Sequence, residues 1–318
     1  MIAKARSLGD AIMVRHTLFS LPWAIAALLL VSGGNPDPIT ALAVIVVAVG
    51  ARTAANSLNR LIDEGFDAAN PRTAGRELPT GRVSHRGLWG LVAVGGGLAV
   101  VATGFLNLLC IVLLPVAAFL VGAYSYTKRF TWLCHYWLGA TVALAPLGAF
   151  LGVAGHFEVR YFVLAGSVAV WVAGFDILYA TQDIAFDRQT GLKSIPARFG
   201  ARAAFWISRG SHLATLAGLV ATGLLWPVGA LWWVGVAATA LLLAAEHRIA
   251  RGGTEKHLKV ASYGLNEIVG VTMLVTAVAA VYTAGWFPTP AILPPGWVAW
   301  ASRDMFTIDF WTLRGLLP

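Results

Sequence analysis

Charge and cysteine are both scarce in this chain. Of its 318 residues only 12% are charged and 58% are hydrophobic, against about 25% and about 45–50% in ordinary soluble domains. This composition argues against a soluble globular protein. The two cysteines, Cys110 and Cys134, form no disulfide framework and have no metal-ligand spacing. The sequence therefore indicates a membrane protein.

Apolar runs recur along the chain, and each has about the length of ~20 residues that crosses the hydrocarbon core of a bilayer. They lie at about residues 17–32, 39–58, 87–104, 106–123, 133–154, 161–182, 203–225, 228–245 and 264–286. We predict an all-α polytopic membrane protein with nine transmembrane helices around a central cavity. One membrane domain covers residues 1–287, and the Pro- and aromatic-rich tail 288–318 is either an interfacial segment or a disordered end.

Positive charge is distributed unevenly between alternate loops. The N-terminus and the loops 59–86, 124–132, 183–202 and 246–262 hold eighteen Lys and Arg, whereas the opposite loops and the tail hold three. Lys and Arg collect on cytoplasmic loops. The excess of +8 therefore indicates membrane topology and not nucleic-acid binding. We expect a bacterial cytoplasmic (inner) membrane protein whose N-terminus and active-site loops are cytoplasmic.

One acidic cluster ends the second apolar run. In NRLIDEGFD the residues Asn59, Asp63 and Asp67 are spaced i, i+4, i+8, and Asn56 precedes Asn59 by three. On a helix this spacing places all four side chains near one face. Such a cluster alone is most often a solvated helix end.

The same interval recurs in QDIAFD, where Asp183 and Asp187 end the sixth run. Carboxylates one turn apart repel each other, so two clusters that face one cavity require cations between them. Oxygen ligands of this kind suit Mg²⁺, which takes its remaining positions from water and substrate phosphates. The recurrence favours a metal site over two solvated helix ends.

Basic residues follow both clusters, which is the pairing that a diphosphate site needs. They are Arg72, Arg76 and Arg82 after the first cluster, and Arg188, Lys193 and Arg198 after the second. In YSYTKR, Tyr124 and Lys128 lie one turn apart and Arg129 follows.

Three polar residues are predicted to lie deeper in the membrane. Asp176 precedes Asp183 by seven residues, and Arg52 and Asn56 precede Asn59 on the second run. A charged group near the bilayer centre costs at least ~2.5–3.5 kcal/mol, so it faces a polar cavity or a hydrogen-bonding neighbour. Asp176 fits an interhelical structural role and a substrate-facing role equally well.

The segment NRLIDEGFDAANPRTAGRELPTG resembles the first acidic motif of the UbiA superfamily of intramembrane aromatic prenyltransferases. YSYTKRFTWLCH is similar to the family's Tyr-x-x-x-Lys loop, and YATQDIAFDRQTGLKSIPARFG is similar to its second acidic motif. This second motif lacks the D-R-D-D-D run of the proteobacterial ubiquinone enzymes. It looks closer to the branch labelled 4-hydroxybenzoate polyprenyltransferase, some members of which serve the futalosine route to menaquinone.

The resemblance implies that Mg²⁺ is the cofactor and that polyprenyl diphosphate and a small aromatic acid are the substrates. It also implies that the protein is embedded in the lipid bilayer. Its implied metal ligands are Asn59, Asp63, Asp67, Asp183 and Asp187, of which the four carboxylates count as catalytic. The implied diphosphate contacts are Arg72, Arg76, Lys128 and Lys193, with Tyr124 orienting the site.

We therefore expect transfer of a polyprenyl group to an acid of the 4-hydroxybenzoate type in the biosynthesis of ubiquinone or menaquinone. Arg52 or Arg15 is the candidate for binding the carboxylate of the acceptor, and Asn56 can line the same region. Asp176 can accept the ring proton or orient a hydroxyl of the acceptor. Prenylation of dihydroxynaphthoate or another aromatic acceptor remains an alternative. A transporter remains a weaker one, because transporters bind at broken helices near the midplane.

Overall fold

The computed structural model describes residues 17–284, and within them it contains nine helices of fifteen residues or more. Their bounds are α1 Thr17–Val31, α2 Pro38–Ala69, α3 His85–Thr103, α4 Leu108–Tyr124, α5 Cys134–Ala154, α6 Val159–Ala180, α7 Ile195–Leu225, α8 Leu231–Ala250 and α9 Asn266–Tyr282. No β-strand occurs in this range. The all-α prediction is confirmed, while Arg15 and the tail 288–318 lie outside the described residues.

Short pieces of helix connect the long ones at one end of the bundle. They are Thr127–Phe130, the 3₁₀ turn Thr181–Asp183, Ile184–Thr190, Glu255–Lys259 and the π-helical segment Val260–Leu265. Thr181–Asp183 and Ile184–Thr190 continue α6 almost without a break, and Glu255–Lys259 and Val260–Leu265 lead into α9.

Six helical stretches are long and apolar enough to cross a membrane. They are Pro38–Ala69, His85–Thr103, Cys134–Ala154, Val159–Thr190, Leu231–Ala250 and Glu255–Tyr282. α1 and α4 are apolar but shorter. The prediction of nine membrane spans thus stays a prediction. α3 and α4 expose large apolar side chains such as Val101 and Phe119, as expected of a surface that faces lipid.

α2 is longer than its apolar run predicts, since it continues past residue 58 to Ala69. Hydropathy falls where the polar motif begins, but helical backbone continues through it. The helix ends at Asn70, which has φ −88° and ψ 118°, because the following Pro71 disfavours helical geometry at the residue before it. All of the first acidic cluster therefore lies on one rigid element.

α7 also differs from its apolar run, because helical geometry begins at Ile195 and not near residue 203. Gly200 interrupts it with φ 82° and ψ 166°, a conformation that favours glycine. The stretch after Gly200 corresponds to the predicted span 203–225.

α6 is the centre of the bundle and is the most buried of the six candidate spans. Trp171 on α6 is fully buried and packs against Phe19 and Trp23 of α1, with ring centroids 6.2 and 5.5 Å apart. At the far end Phe150 stacks on Tyr161 at 4.7 Å. The core of the bundle thus packs around α6, whose end carries the second acidic cluster.

Close approach of α5 and α6 depends on Gly139. A Cβ built at this residue would lie 2.0 Å from the carbonyl oxygen of Ala169, whereas one built at Gly166 of α6 would meet nothing within 4 Å. We expect Gly139→Ala to force the helices apart and to lower the free energy of unfolding by about 1–3 kcal/mol. This is measured as a lower thermal midpoint of the detergent-solubilised protein.

Gly166→Ala is the matched control, and it should be neutral or slightly stabilising because alanine favours helix over glycine. An unchanged midpoint in Gly139→Ala would show that the contact between α5 and α6 is not tight.

Candidate active site

A cavity of about 220 Å³ lies where the acidic clusters of α2 and α6 face each other. Its walls come from α1, α2, α4, α5, α6, the loops after α2 and α4, and the π-helical segment. Apolar side chains including Val121, Leu138 and Val172 line it together with the charged ones. The cavity therefore combines charged groups with stretches of apolar wall.

One face of α2 supplies an entire wall. Arg52, Asn56, Asn59, Asp63 and Asp67 all line the cavity, as their spacing of three to four residues predicts. The continuous helix thus carries predicted metal ligands near its end and predicted acceptor-binding residues one to three turns deeper.

The opposite wall is α6 and its extension. Asp176 and Tyr179 are on α6, Asp183 ends the 3₁₀ turn, and Asp187 is in Ile184–Thr190. Asp183 and Asp187 are buried. The structure therefore brings the two acidic motifs to one cavity.

Arg72 joins the two motifs. Its Nε and Nη2 donate to Oδ1 and Oδ2 of Asp183 at 2.9 and 2.6 Å, and its Nη1 donates to the Tyr179 hydroxyl at 2.9 Å. Asn70 Nδ2 donates to Asp183 Oδ1 at 3.0 Å. Burial lowers the pKa of Arg72, but its hydrogen bond to Asp183 and the nearby negative charge raise that pKa by more. The guanidinium is therefore a permanent cation here.

Asp67 and Asp63 also have basic partners. Arg76 Nη1 donates to Asp67 Oδ1 at 2.5 Å, and Arg60 lies 3.6 Å from Asp67 Oδ2. Arg129 Nη2 lies 3.2 Å from Asp63 Oδ1, and Asn59 Nδ2 donates to Asp63 Oδ2 at 2.8 Å.

Asp187 accepts a hydrogen bond from Ser194 Oγ at 2.7 Å and lies 3.6 Å from Lys128 Nζ. Burial lowers the pKa of Lys128, but the attraction of Asp187 outweighs burial and raises it. The loop Thr127–Phe130 is held beside residues 190–194 by a hydrogen bond of 2.6 Å from Lys193 N to the Lys128 carbonyl. The two loops therefore form one rim.

Charge in the cavity is almost balanced. Its lining has six Lys and Arg and five Asp, which are Arg52, Arg60, Arg72, Arg76, Lys128 and Arg129, and Asp63, Asp67, Asp176, Asp183 and Asp187. A diphosphate would bring several negative charges into this space. Its binding therefore requires additional positive charge, such as a divalent cation.

The donor set fits a metal that is shared with a phosphate ligand. Within residues 17–284 no three His, Cys, Asp or Glu side chains lie close enough to hold a metal ion by themselves. Mg²⁺ is usually held by one or two carboxylates, with phosphate and water oxygens completing its shell. Asn59 with Asp63, and Asp183 with Asp187, supply carboxylate and amide oxygens of that kind on the two walls.

The deep end of the cavity holds different groups. Arg52 lines it, and its buried Nε has no hydrogen-bond partner among the described side chains. Asp176 accepts a hydrogen bond of 2.6 Å from Nδ1 of His135. Tyr263 of the π-helical segment lies against Tyr179, with ring centroids 4.6 Å apart. This end can hold a small molecule with a negative group.

Most of the residues singled out from the sequence line the cavity. Tyr124, Lys128, Arg72 and Arg76 do so, whereas Lys193 does not, because its exposed Nζ donates to the Phe130 carbonyl at 3.3 Å on the rim. Arg15 lies outside the described residues. The other basic residues of the motifs are directed elsewhere: Arg82 to Thr80 and Gly75, Arg188 to the Ala197 carbonyl, and Arg198 to the Trp132 and Phe199 rings.

Sequence reasoning missed several members of the site, namely Arg60, Asn70, His135, Tyr179 and Tyr263. Arg60 and Tyr179 share the helical face of residues already chosen, so the spacing could have included them. Asn70 and His135 bond to partners 113 and 41 residues away, and no local pattern indicates such pairs.

Known proteins are similar to this chain over most of its length. A model of the UbiA prenyltransferase family matches residues 20–268. The 4-hydroxybenzoate octaprenyltransferase of Nitrosospira multiformis is 32% identical over 247 residues, covering 77% of this chain and 81% of that protein.

Two solved structures share the fold. A UbiA homologue from Aeropyrum pernix K1 has a TM-score of 0.74 and 32% identity, over 83% of this chain and 97% of that one. A UbiA homologue from Archaeoglobus fulgidus, bound to GPP and Mg²⁺, has a TM-score of 0.66 and 17% identity, over 87% and 99% of the two chains. The family match covers most of the chain and includes both acidic motifs. The protein is an integral membrane prenyltransferase that belongs to the UbiA prenyltransferase family.

Proposed function

We propose that the protein transfers a polyprenyl group from polyprenyl diphosphate to an aromatic acid of the 4-hydroxybenzoate type, with Mg²⁺ as cofactor. The observation that carries this proposal is the single cavity in which two acidic motifs and six cations meet an apolar interior. The 4-hydroxybenzoate octaprenyltransferases among its relatives support the acceptor class. The product would enter the biosynthesis of ubiquinone or menaquinone.

Asn59, Asp63, Asp67, Asp183 and Asp187 would hold Mg²⁺ against the diphosphate. The metal supplies positive charge where negative charge develops on the leaving diphosphate. Arg72, Arg76 and Lys128 line the same part of the cavity, and we assign them to diphosphate oxygens. Tyr124 beside them would orient the site, and we assign Lys193 on the rim to a further diphosphate contact, which its side chain would make by leaving the Phe130 carbonyl.

The ion pairs that Arg72 and Arg76 form with carboxylates in the free protein could be exchanged for pairs with phosphate. Arg72 and Arg76 each bind a carboxylate at 2.5–2.9 Å. Asp67 and Asp183 would hold the metal together with the diphosphate, and Arg72 and Arg76 would then donate to phosphate oxygens, which accept from a guanidinium as carboxylates do. The bound metal would supply the positive charge that the carboxylates lose when the guanidinium groups turn away.

In the reaction the bond between the allylic carbon and the diphosphate oxygen breaks, and diphosphate keeps the electron pair. The allylic carbon forms a new bond to a ring carbon of the acceptor, and that ring carbon then loses its proton. The apolar walls near Val121, Leu138 and Val172 exclude water, which would otherwise capture the allylic cation.

We assign the acceptor to the deep end of the cavity. Arg52, with its unpartnered Nε, is the group that would bind the acceptor carboxylate, and Asn56 lines the cavity next to it. Asp176 would receive the ring proton. Dihydroxynaphthoate also has a carboxylate on an activated ring, so it remains the alternative acceptor. We also propose that nine spans cross a bacterial inner membrane, as the apolar runs predict, and that the active-site loops are cytoplasmic, as the distribution of Lys and Arg indicates.

Loss of one predicted metal ligand should stop turnover. We expect Asp63→Ala and Asp183→Ala each to lower transfer by about 100-fold or more, because a missing electrostatic partner at the leaving group costs ~10²–10³ in rate. Transfer is measured as prenylated product by mass spectrometry, in membranes given prenyl diphosphates and 4-hydroxybenzoate.

Asp37→Ala is the control for these variants. Asp37 is exposed and caps the opposite end of α2 by accepting from Thr40 N at 2.8 Å, so its loss costs about 1 kcal/mol of stability and leaves transfer unchanged. Near-normal turnover in Asp63→Ala or Asp183→Ala would contradict the metal assignment.

Removal of divalent metal should abolish transfer reversibly. Dialysis against EDTA is expected to reduce product to background, because the cavity cannot balance a diphosphate without further positive charge. Adding Mg²⁺ should restore turnover, and Na⁺ at equal ionic strength should not. Activity that persists in EDTA would overturn the requirement for metal.

Arg52 should determine how acidic acceptors bind. We expect Arg52→Gln to raise KM for 4-hydroxybenzoate about 10-fold or more, since an ionic hydrogen bond contributes ~1.5–3 kcal/mol, with KM for the prenyl diphosphate unchanged. The measurement compares 4-hydroxybenzoate, dihydroxynaphthoate and an uncharged phenol. Equal use of the phenol by the wild-type protein would contradict recognition of a carboxylate, and movement of labelled prenyl diphosphate without product would favour a transporter.

A further inference from the structure

One partly buried hydrogen bond at the deep end of the cavity involves none of the residues that we assign to diphosphate. His135, the second residue of α5, is completely inaccessible to solvent, and its Nδ1 lies 2.6 Å from Oδ2 of Asp176 on α6. Asp176 itself remains partly exposed, because its side chain reaches into the cavity. The buried member of the pair is thus behind the wall, and the accessible member faces the cavity.

The direction of this hydrogen bond follows from the chemistry of its two groups. An ionised carboxylate can only accept, so Nδ1 of His135 carries the hydrogen and donates it. The bond occupies one oxygen of Asp176, and within residues 17–284 no other hydrogen bond to this carboxylate forms. Oδ1 is therefore left for a ligand in the cavity.

The pair also occupies a rigid part of the bundle. α5 and α6 approach so closely near Gly139, one turn from His135, that a Cβ there would overlap the Ala169 backbone. A donor fixed on α5 thus fixes the rotamer of a carboxylate on α6. An unsupported aspartate in this apolar surrounding would be free to turn toward the basic residues of the diphosphate site.

We infer that His135 is a positioning residue for prenyl transfer, which holds the carboxylate of Asp176 so that Oδ1 points at the acceptor ring. The inference rests on the proposed function and adds a residue to it. In the step concerned, the bond between the ring carbon and its hydrogen breaks after the prenyl bond has formed. The electron pair returns to the ring and the proton passes to Oδ1 of Asp176.

Four variants test the role of His135 with the full-length protein, Mg²⁺, geranyl diphosphate and 4-hydroxybenzoate. His135→Leu removes the donor, His135→Asn keeps an amide N–H near the position of Nδ1, Asp176→Asn removes the proton acceptor, and the fourth combines His135→Leu with Asp176→Asn. Tyr136→Phe is the control, because Tyr136 is the next residue of α5 and its hydroxyl bonds to Ser211 Oγ at 2.8 Å, outside the cavity lining.

We expect kcat of Asp176→Asn to fall by ~10²-fold or more, as for loss of a general base, and kcat of His135→Leu to fall at least 10-fold. KM for geranyl diphosphate should stay within about twofold of the wild-type value, and His135→Asn should recover most of the lost turnover. Since His135 acts through Asp176, the double variant should be no slower than Asp176→Asn alone.

Several outcomes would overturn the inference. They are wild-type turnover in His135→Leu, wild-type turnover in Asp176→Asn, a double variant slowed by the product of the two single effects, or a rise in KM for geranyl diphosphate as large as the fall in kcat. A loss of kcat in Tyr136→Phe equal to that in His135→Leu would also do so, because it would indicate general damage to α5.

A second measurement tests the pair without turnover. In protein labelled with ¹⁵N-histidine, the Nδ1 proton of His135 should give a strongly downfield resonance that moves upfield in Asp176→Asn and is absent in His135→Leu. Failure of the wild-type protein to prenylate any acceptor would contradict the proposed function, whereas an unshifted resonance in Asp176→Asn would contradict the pairing itself.

Discussion

Neutralisation of charge inside an apolar helix bundle is the constraint on which the rest of this structure depends. An isolated carboxylate is costly to bury, and five of them line one cavity. Each has a basic partner or a histidine within 3.6 Å, such as Arg72 for Asp183 and Lys128 for Asp187. The positions of the loops follow from these pairs. The loop after α2 is tied to α6 through Arg72, and the loop after α4 is tied to α2 through Arg129.

The same constraint explains why the site is built from arginine and carboxylate and not from neutral hydrogen-bonding groups. With the proposed function, ion pairs that are satisfied in the free protein would be exchanged for pairs with phosphate and metal, so the buried charges would keep partners of opposite sign. A neutral cavity would have no such exchange available. The near balance of six cations and five carboxylates is the charge that the proposed anionic substrate and its metal would meet on entry.

Local spacing was sufficient to predict the helices and most of the site. Asn59, Asp63 and Asp67 could be placed on one face because a helix repeats every 3.6 residues, and α2 does carry them together. What could not be predicted depends on distant contacts. The π-helical segment that presents Tyr263 is held by Asn266, whose Nδ2 donates to the carbonyls of Ala261 and Ser262 and whose Oδ1 accepts from Trp171 Nε1 at 2.6 Å. No pattern in the sequence indicates that arrangement. The direction of the Lys193 side chain, whose Nζ donates to the Phe130 carbonyl, could not be predicted either, because a position in a motif does not determine the rotamer of a long side chain.

The position of both Asp176 and Asp183 on one almost unbroken helical run sets a fixed length within the enzyme. Seven residues of helix span about 10 Å, so the proposed diphosphate site and the proposed proton acceptor are separated by the backbone of α6 and not by a flexible loop. With those roles, substitutions in the apolar walls would alter the room for the prenyl chain and leave this separation unchanged.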